Sequence, residues 1–243
     1  MTTRIRRDAD IYDIEGGWFH ARWHFSFDQY RDPEWTQFGS LRVFNDDRLV
    51  PGVAWPMHPH KDIEGITYVV EGSFKHADNL GRDDSLRVLP AGSVQRMTLG
   101  SGSWHSEQNA SDTEPMRFIQ MWILPADLGL EPSVEQKAFT REDRTDRLLR
   151  VVSGEGGDAV LVHQDVHVYV SSLSQGRSVS HDLADGRGAY LYVISGAISM
   201  NGETLKTGDA AAIESESEIA IDATEPSELV LVDVAMTVEE RQL

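Results

Sequence analysis

The sequence predicts an all-β chain made of two tandem β-barrel or sandwich domains, and three observations carry that prediction. Sustained helical periodicity is scarce. Short runs of β-branched, aromatic and aliphatic residues recur, bounded by Gly, Pro, Asn or Asp. One strand-and-turn pattern also occurs twice. In chain order the strand candidates are residues 38–44, 66–70, 86–89, 117–124, 166–171, 190–194, 218–221 and 228–234. Within 66–70, alternation puts Ile66, Tyr68 and Val70 on one face and Thr67 and Val69 on the other. The run 118–124 is apolar on both faces and is expected between layers.

The repeat sets the domain organisation. Tyr68-Val69-Val70-Glu71-Gly72 is followed by a hairpin and then Pro90-Ala91-Gly92; Tyr192-Val193-Ile194-Ser195-Gly196 is followed by a shorter hairpin and then Thr207-Gly208-Asp209. In each copy a strand ends at a glycine turn, a second strand returns, and a tight turn starts a third. Residues 125–147, between the copies, are polar and read as a linker with a short helix around 141–148. The division falls near 130–145, giving domains of residues 1–135 and 136–243, with 238–243 as a polar tail.

Composition narrows the chemistry. Among 243 residues there are 40 Asp and Glu against 22 Lys and Arg, for a formal charge of −18, and no cysteine. Disulfides, thiolate metal sites, Fe–S clusters and cysteine nucleophiles are therefore excluded. The strong acidity argues against direct nucleic-acid binding, because phosphate is repelled, while leaving room for a small basic patch. The uncharged run 188–202 is too short and too interrupted to span a bilayer, so no membrane role is expected. The opening residues carry no apolar stretch of the kind a secretory signal needs, which points to the cytoplasm.

The histidines carry the clearest chemical signal. His58 and His60 flank Pro59, and His105 and Glu107 flank Ser106. Residues two apart on a strand project from one face, so two such pairs on neighbouring strands aim four ligands at one point inside a barrel. Three neutral imidazoles and a carboxylate suit Fe(II), Mn(II), Ni(II), Cu(II) or Zn(II). On an octahedral ion they leave two positions for water, O₂ or a chelating substrate. A lone His-x-His is weak evidence; the four residues together, with strand and turn signals between them, are much stronger. The second repeat offers only His181 at the matching place, so His163, His167 and His181 are read as structural, as are His20 and His24, with His24 a candidate for the pocket mouth. His76 and Asp78 are read as exposed hairpin residues, and Trp104 as core on the face opposite His105. No phosphate loop, dinucleotide fingerprint or nucleophile elbow occurs.

With these residues in view, the chain resembles the pirin family. The segment running through His58-Pro59-His60, Glu64, Tyr68 to Gly72, His76-Ala77-Asp78, Pro90-Ala91-Gly92, Gln95-Arg96-Met97 and Gly102-Ser103-Trp104-His105-Ser106-Glu107 is similar to that family's first cupin domain. Residues 24–27, 30–33 and 38–47 look like its N-terminal segment, and Gln120 to Pro125 like its inter-domain entry. The likeness is dense over about residues 20–125 and thinner beyond. It implies a bicupin, two tandem cupin domains, with one metal in the first. Carried over, the ligands are His58, His60, His105 and Glu107, and the ion is iron, with Ni, Cu, Mn, Co or Zn also compatible with the donors. Generic cupins point instead to Glu64 as the carboxylate; the pirin pattern assigns Glu107 and leaves Glu64 as a supporting or strand-end charge. Lys61-Asp62-Ile63 and Trp55-Pro56-Met57 depart from the family pattern beside the ligands, so both are expected near the pocket.

The resemblance implies one of two roles. The first is a dioxygenase of the quercetin 2,3-dioxygenase type, acting on a flavonol-like aromatic substrate and O₂, with Glu107 as ligand and base and with ring cleavage to a depside and carbon monoxide. The second is a metal-containing regulatory protein that docks on a protein partner. An enzyme needs an opening for a planar substrate beside the metal, and a switch does not.

Overall fold

The structure is a computed structural model that describes residues 2–81 and 88–237. Residues 86 and 87 of one strand candidate, and the polar tail, lie outside the described residues. Apart from two 3-10 turns, the named elements are strands, and they form two seven-stranded and two four-stranded sheets.

The N-terminal domain pairs a large sheet with a small one. Its large sheet has the order β12-β9-β6-β11-β4-β3-β2, made of β2 (Tyr12–Glu15), β3 (Phe19–Trp23), β4 (Leu41–Leu49), β6 (Glu64–Glu71), β9 (Ser93–Thr98), β11 (Met116–Ile123) and β12 (Ser133–Ala138). Its small sheet has the order β5-β10-β7-β8, from β5 (Ala54–His60), β7 (Ser73–Asp78), β8 (Val88–Pro90) and β10 (Ser103–Asn109). The C-terminal domain repeats the plan. Its large sheet orders β1-β20-β17-β22-β15-β13-β14, from β1 (Thr2–Arg6), β13 (Leu149–Ser153), β14 (Val160–Leu161), β15 (Val166–Leu173), β17 (Arg187–Ser195), β20 (Ala210–Glu214) and β22 (Ser227–Ala235). Its small sheet orders β16-β21-β18-β19, from β16 (Ser178–Asp182), β18 (Ala197–Met200), β19 (Glu203–Lys206) and β21 (Glu218–Ala223).

Both copies of the repeat turn on a glycine for the same reason. Gly72 and Gly196 have φ of 78° and 90°, and a Cβ there would lie 2.6 Å from the Pro115 carbonyl oxygen and 2.2 Å from that of Pro226. Only a residue without a side chain fits between the returning strands.

The linker is more structured than the sequence suggests. β12 pairs along β9, from Ser133 opposite Thr98 to Ala138 opposite Ser93, and the expected helix around 141–148 is a 3-10 turn, Glu142–Arg144. The chain's first strand crosses over: β1 pairs with β20, Thr2 opposite Glu214 and Arg6 opposite Ala210. The sequence-based division at residue 135 thus falls within β12, and β1 lies in the sheet of the second domain. Each large sheet gains an edge strand from outside its own repeat, which covers hydrogen-bonding groups that would otherwise face solvent.

The two large sheets pack face to face. Ile66, Tyr68 and Val70 of β6 and Ile119, Met121 and Ile123 of β11 meet Tyr190, Tyr192 and Ile194 of β17 and Val230, Val232 and Val234 of β22 in one apolar cluster. This is the face assigned to Ile66, Tyr68 and Val70 by alternation. Each such side chain contributes about 1.5–3 kcal/mol on burial. Among the described residues, no helix is long and apolar enough to cross a membrane.

Candidate metal centre

The opposite faces of β4, β6 and β11 point into the N-terminal barrel, and there the residue types change. β4 carries Asn45-Asp46-Asp47 directly after the buried Val43-Phe44. Asn45 and Asp47 line the interior cavity. Asp46 faces the other domain, where Arg117 donates to it from Nε at 2.9 Å and from Nη2 at 2.6 Å, and the Tyr192 hydroxyl donates to it at 2.6 Å. On β11, Gln120 and Trp122 join the cavity wall, and Gln120 Oε1 accepts a hydrogen bond from the Thr67 hydroxyl at 2.8 Å.

The small sheet supplies the imidazoles. β5 is an edge strand, where prolines are tolerated because their missing N–H faces no partner. His58 stands opposite His105, but Glu107 stands opposite Trp55, so β5 holds one extra residue between these pairs. That bulge, at Pro56-Met57, turns Trp55 inward beside His58 and His60, and all three line the cavity. The His58 Nδ1–H donates to the Pro56 carbonyl at 2.7 Å, which leaves Nε2 as the nitrogen free to face the cavity.

His58, His60 and His105 each offer a nitrogen, and these ligand atoms lie within 4.8 Å of one another. The ring centroids are 4.5 Å apart for His58 and His105, 4.8 Å for His58 and His60, and 5.3 Å for His60 and His105. Burial pushes His105 down to about 2 and His60 to about 4, with neighbouring imidazoles adding to each shift, so both rings stay neutral. Both ring nitrogens of His105 are buried without a hydrogen-bond partner. A buried imidazole in that state is costly unless something accepts its lone pair, and a cation shared with His58 and His60 would do so.

Glu107 lines the same cavity but lies outside that 4.8 Å group. Burial raises its carboxyl to about 7. Asp47 is raised well above the usual carboxylate range, first by burial and then by the charges of Glu107 and Asp46. The cavity, about 370 Å³, is otherwise walled by Trp23, Phe27, Trp55 and Trp122. The Trp122 ring lies 4.6 Å from His60 and 5.3 Å from Phe27.

Several sequence readings are corrected. His76 and Asp78 are buried: β7 sets His76 opposite Glu107 and Asp78 opposite His105, and directly opposed residues share a face. The His76 ring lies 5.6 Å from that of His105. Trp104 does point away from the cluster, yet it is 48% exposed, because the outer face of the small sheet is uncovered. His24 lies at the domain junction, its Nδ1 2.8 Å from the Tyr190 hydroxyl, rather than at the pocket mouth. Glu64 begins β6 with the parity of Ile66, so it faces the second domain. There it accepts hydrogen bonds from the Thr98 hydroxyl at 2.7 Å, from the His163 backbone N–H at 2.7 Å and from His163 Nδ1 at 2.8 Å. In the second domain His181 Nε2 donates to Asp233 at 2.8 Å. Sequence reasoning assigned no role to Asn45, Asp47 or Gln120; the available signal was the polar run Asn45-Asp46-Asp47-Arg48 between the apolar Val43-Phe44 and Leu49.

Comparison with known proteins agrees with this architecture. The family model described as Pirin matches residues 4–123, and one described as Quercetinase C-terminal cupin domain matches residues 150–234. The quercetin 2,3-dioxygenase of Escherichia coli strain K12 is 39% identical over 232 residues, covering 95% of this chain and 97% of that protein. A pirin-like protein of Caulobacter vibrioides is 41% identical over 221 residues, covering 90% and 94%. Among solved structures, a bacterial pirin from Escherichia coli in complex with nickel(II) superposes with a TM-score of 0.89 at 34% identity, covering 96% of this chain and 99% of that one.

Proposed function

The chain belongs to the pirin family, and from that premise we propose that it is a metal-dependent dioxygenase of the quercetin 2,3-dioxygenase type. It takes a flavonol or similar chelating phenol together with O₂ at a site held by His58, His60, His105 and Glu107. One observation carries this reading: three clustered imidazoles, one of them with both nitrogens unpartnered, open onto an aromatic-walled cavity that also contains a buried carboxylate. A regulatory ion has no need of that cavity. Its volume falls within the roughly 300–1,000 Å³ of small-molecule sites.

A divalent transition metal bound there supplies Lewis acidity and a route for electron density between substrate and O₂. The donor set suits Fe(II), our first assignment, and equally the nickel(II) that the solved relative holds. The chain's own residues do the rest. Trp122, Phe27 and Trp23 hold a planar ring and keep bulk water out. Glu107, buried and with a proton affinity matched to neutral pH, takes the proton of the substrate hydroxyl. Burial beside Glu107 raises the Asp47 carboxyl well above the usual carboxylate range, which favours the protonated form that donates a hydrogen bond to a substrate oxygen.

The test is aerobic quercetin loss with carbon monoxide release, metal by metal. Glu107→Gln is expected to keep some metal and to lower turnover by about 10²–10⁴-fold, the usual share of a general base. Unchanged turnover removes Glu107 from that role, and absence of carbon monoxide with every metal removes the dioxygenase.

A further inference from the structure

A second, larger groove of about 1230 Å³ opens beside the metal pocket and shares Phe27, His60 and Trp122 with it. A ligand stacked on Trp122 at the imidazoles therefore extends directly into the groove. Two arginines line it, Arg31 from the loop after β3 and Arg42 from β4.

These guanidiniums are held in place and only partly used. Arg42 Nη1 donates to the carbonyls of Ser26 at 2.8 Å and Thr36 at 3.1 Å. Arg31 Nη1 donates to the carbonyls of Tyr30 at 2.9 Å and Asp28. Neither arginine forms an ion pair among the described residues, in a chain with 40 acidic against 22 basic side chains. The groove's own carboxylates are mostly engaged elsewhere. Asp32 accepts from the Tyr30 hydroxyl and from the Glu34 backbone N–H, both at 3.0 Å. Asp62 accepts from the Gly129 N–H at 2.7 Å and lies 3.8 Å from Lys61; Asp28 is exposed. Partial burial of Arg42, and after it the charge of Arg31, weakens the hold of Arg42 on its proton. An anion between the two forks relieves both effects.

We infer that the substrate of the metal pocket is an aromatic chelator carrying an oxyanion, a carboxylate or a sulfo group, which Arg31 and Arg42 bind in the adjoining groove. The planar guanidinium fork matches such a group in two-point contact. On this reading an uncharged flavonol fills only the metal end of the site. The inference rests on the metal pocket being the substrate site, and binding can be read without turnover.

The experiment titrates nickel(II)-loaded protein, without O₂, with quercetin and with quercetin sulfonated on its pendant ring, following tryptophan fluorescence. The sulfonated compound is expected to bind about tenfold more tightly, with the advantage shrinking as ionic strength rises. It should vanish in Arg31→Gln/Arg42→Gln. Because Arg42 also supports the loop, Arg31→Glu alone provides a second variant, in which the sulfonated compound should bind more weakly than quercetin. Equal affinity of wild-type protein for the two compounds overturns the inference, as does an advantage that survives both variants. Inorganic sulfate binding as tightly as the sulfonated compound also overturns it, since the anion would then be a separate ligand. If the arginine-dependent preference holds and O₂ consumes neither compound, the groove assignment stands and the dioxygenase reading falls. If O₂ consumes both and no preference is seen, the reverse holds.

Discussion

In the N-terminal domain β5 and β10 bring imidazoles and a carboxylate into the barrel; in the C-terminal domain β21, the equivalent of β10, brings isoleucines. The registers make the equivalence explicit. Ile219 stands opposite His181 as His105 stands opposite His58, and Ile221 stands opposite Met200 as Glu107 stands opposite His76. On the facing sheet, Leu191 and Leu231 are paired where the first domain pairs Thr67 and Gln120. The second interior is accordingly one continuous apolar cluster, whereas the first has two smaller clusters flanking the polar cavity. One strand order accommodates either filling. A barrel filled with aliphatic side chains gains about 1.5–3 kcal/mol for each one buried, and the first barrel forgoes part of this gain to bury polar groups that need partners.

The sharpest way to break the comparison is to give the second barrel the first one's ligands. Ile219→His/Ile221→Glu should destabilise the protein by about 5 kcal/mol, through lost apolar burial and two unpartnered polar groups, and should bind no metal. Urea unfolding and metal analysis check this; undiminished stability with a second bound ion would mean that ligand identity alone separates the domains.

Next in size is the tie between them. Asp46 faces Arg117 and Tyr192, while its counterpart in the second large sheet is Val170. Asp46→Ala leaves Arg117 buried without its carboxylate and should cost about 3–5 kcal/mol, measured by the same unfolding.

His105→Ala should leave the fold intact, because the second barrel and the inter-sheet core do not involve it. Metal affinity should fall by at least about 100-fold, more than the loss of a hydrogen-bond partner behind a ligand causes. Full metal occupancy in this variant would contradict the site.

The smallest effect concerns pH. Burial holds His24 well below its ordinary value, so the folded protein keeps it neutral while the unfolded chain takes up a proton below about pH 6.5. Stability should therefore fall as pH drops below that point. His24→Phe should flatten that part of the profile; an unchanged slope assigns the loss to other groups.

Much of this was legible in the sequence because it is local. Alternation along β6 predicted which residues face the other domain, and the two-residue spacing in His58-Pro59-His60 put two imidazoles on one face. The repeated glycine turns announced the duplication. Other features were hidden because they depend on partners far along the chain. Glu64 meets His163 across 99 residues, and nothing near either one announces the pairing. His76 looked like a turn residue until its strand was paired with β10. Trp104 alternated as expected, but its outward face meets no covering layer.

The sequence by itself determined the strand periods, the two repeats, and the presence of three histidines and a glutamate spaced to share a wall. Only the tertiary structure decided which face of each strand is interior, and so which of Glu64 and Glu107 enters the cavity and which of Asp46 and Asp47 does. The physical reason is that alternation along a strand divides residues into two sets, while the layer that packs against each set is supplied by other strands.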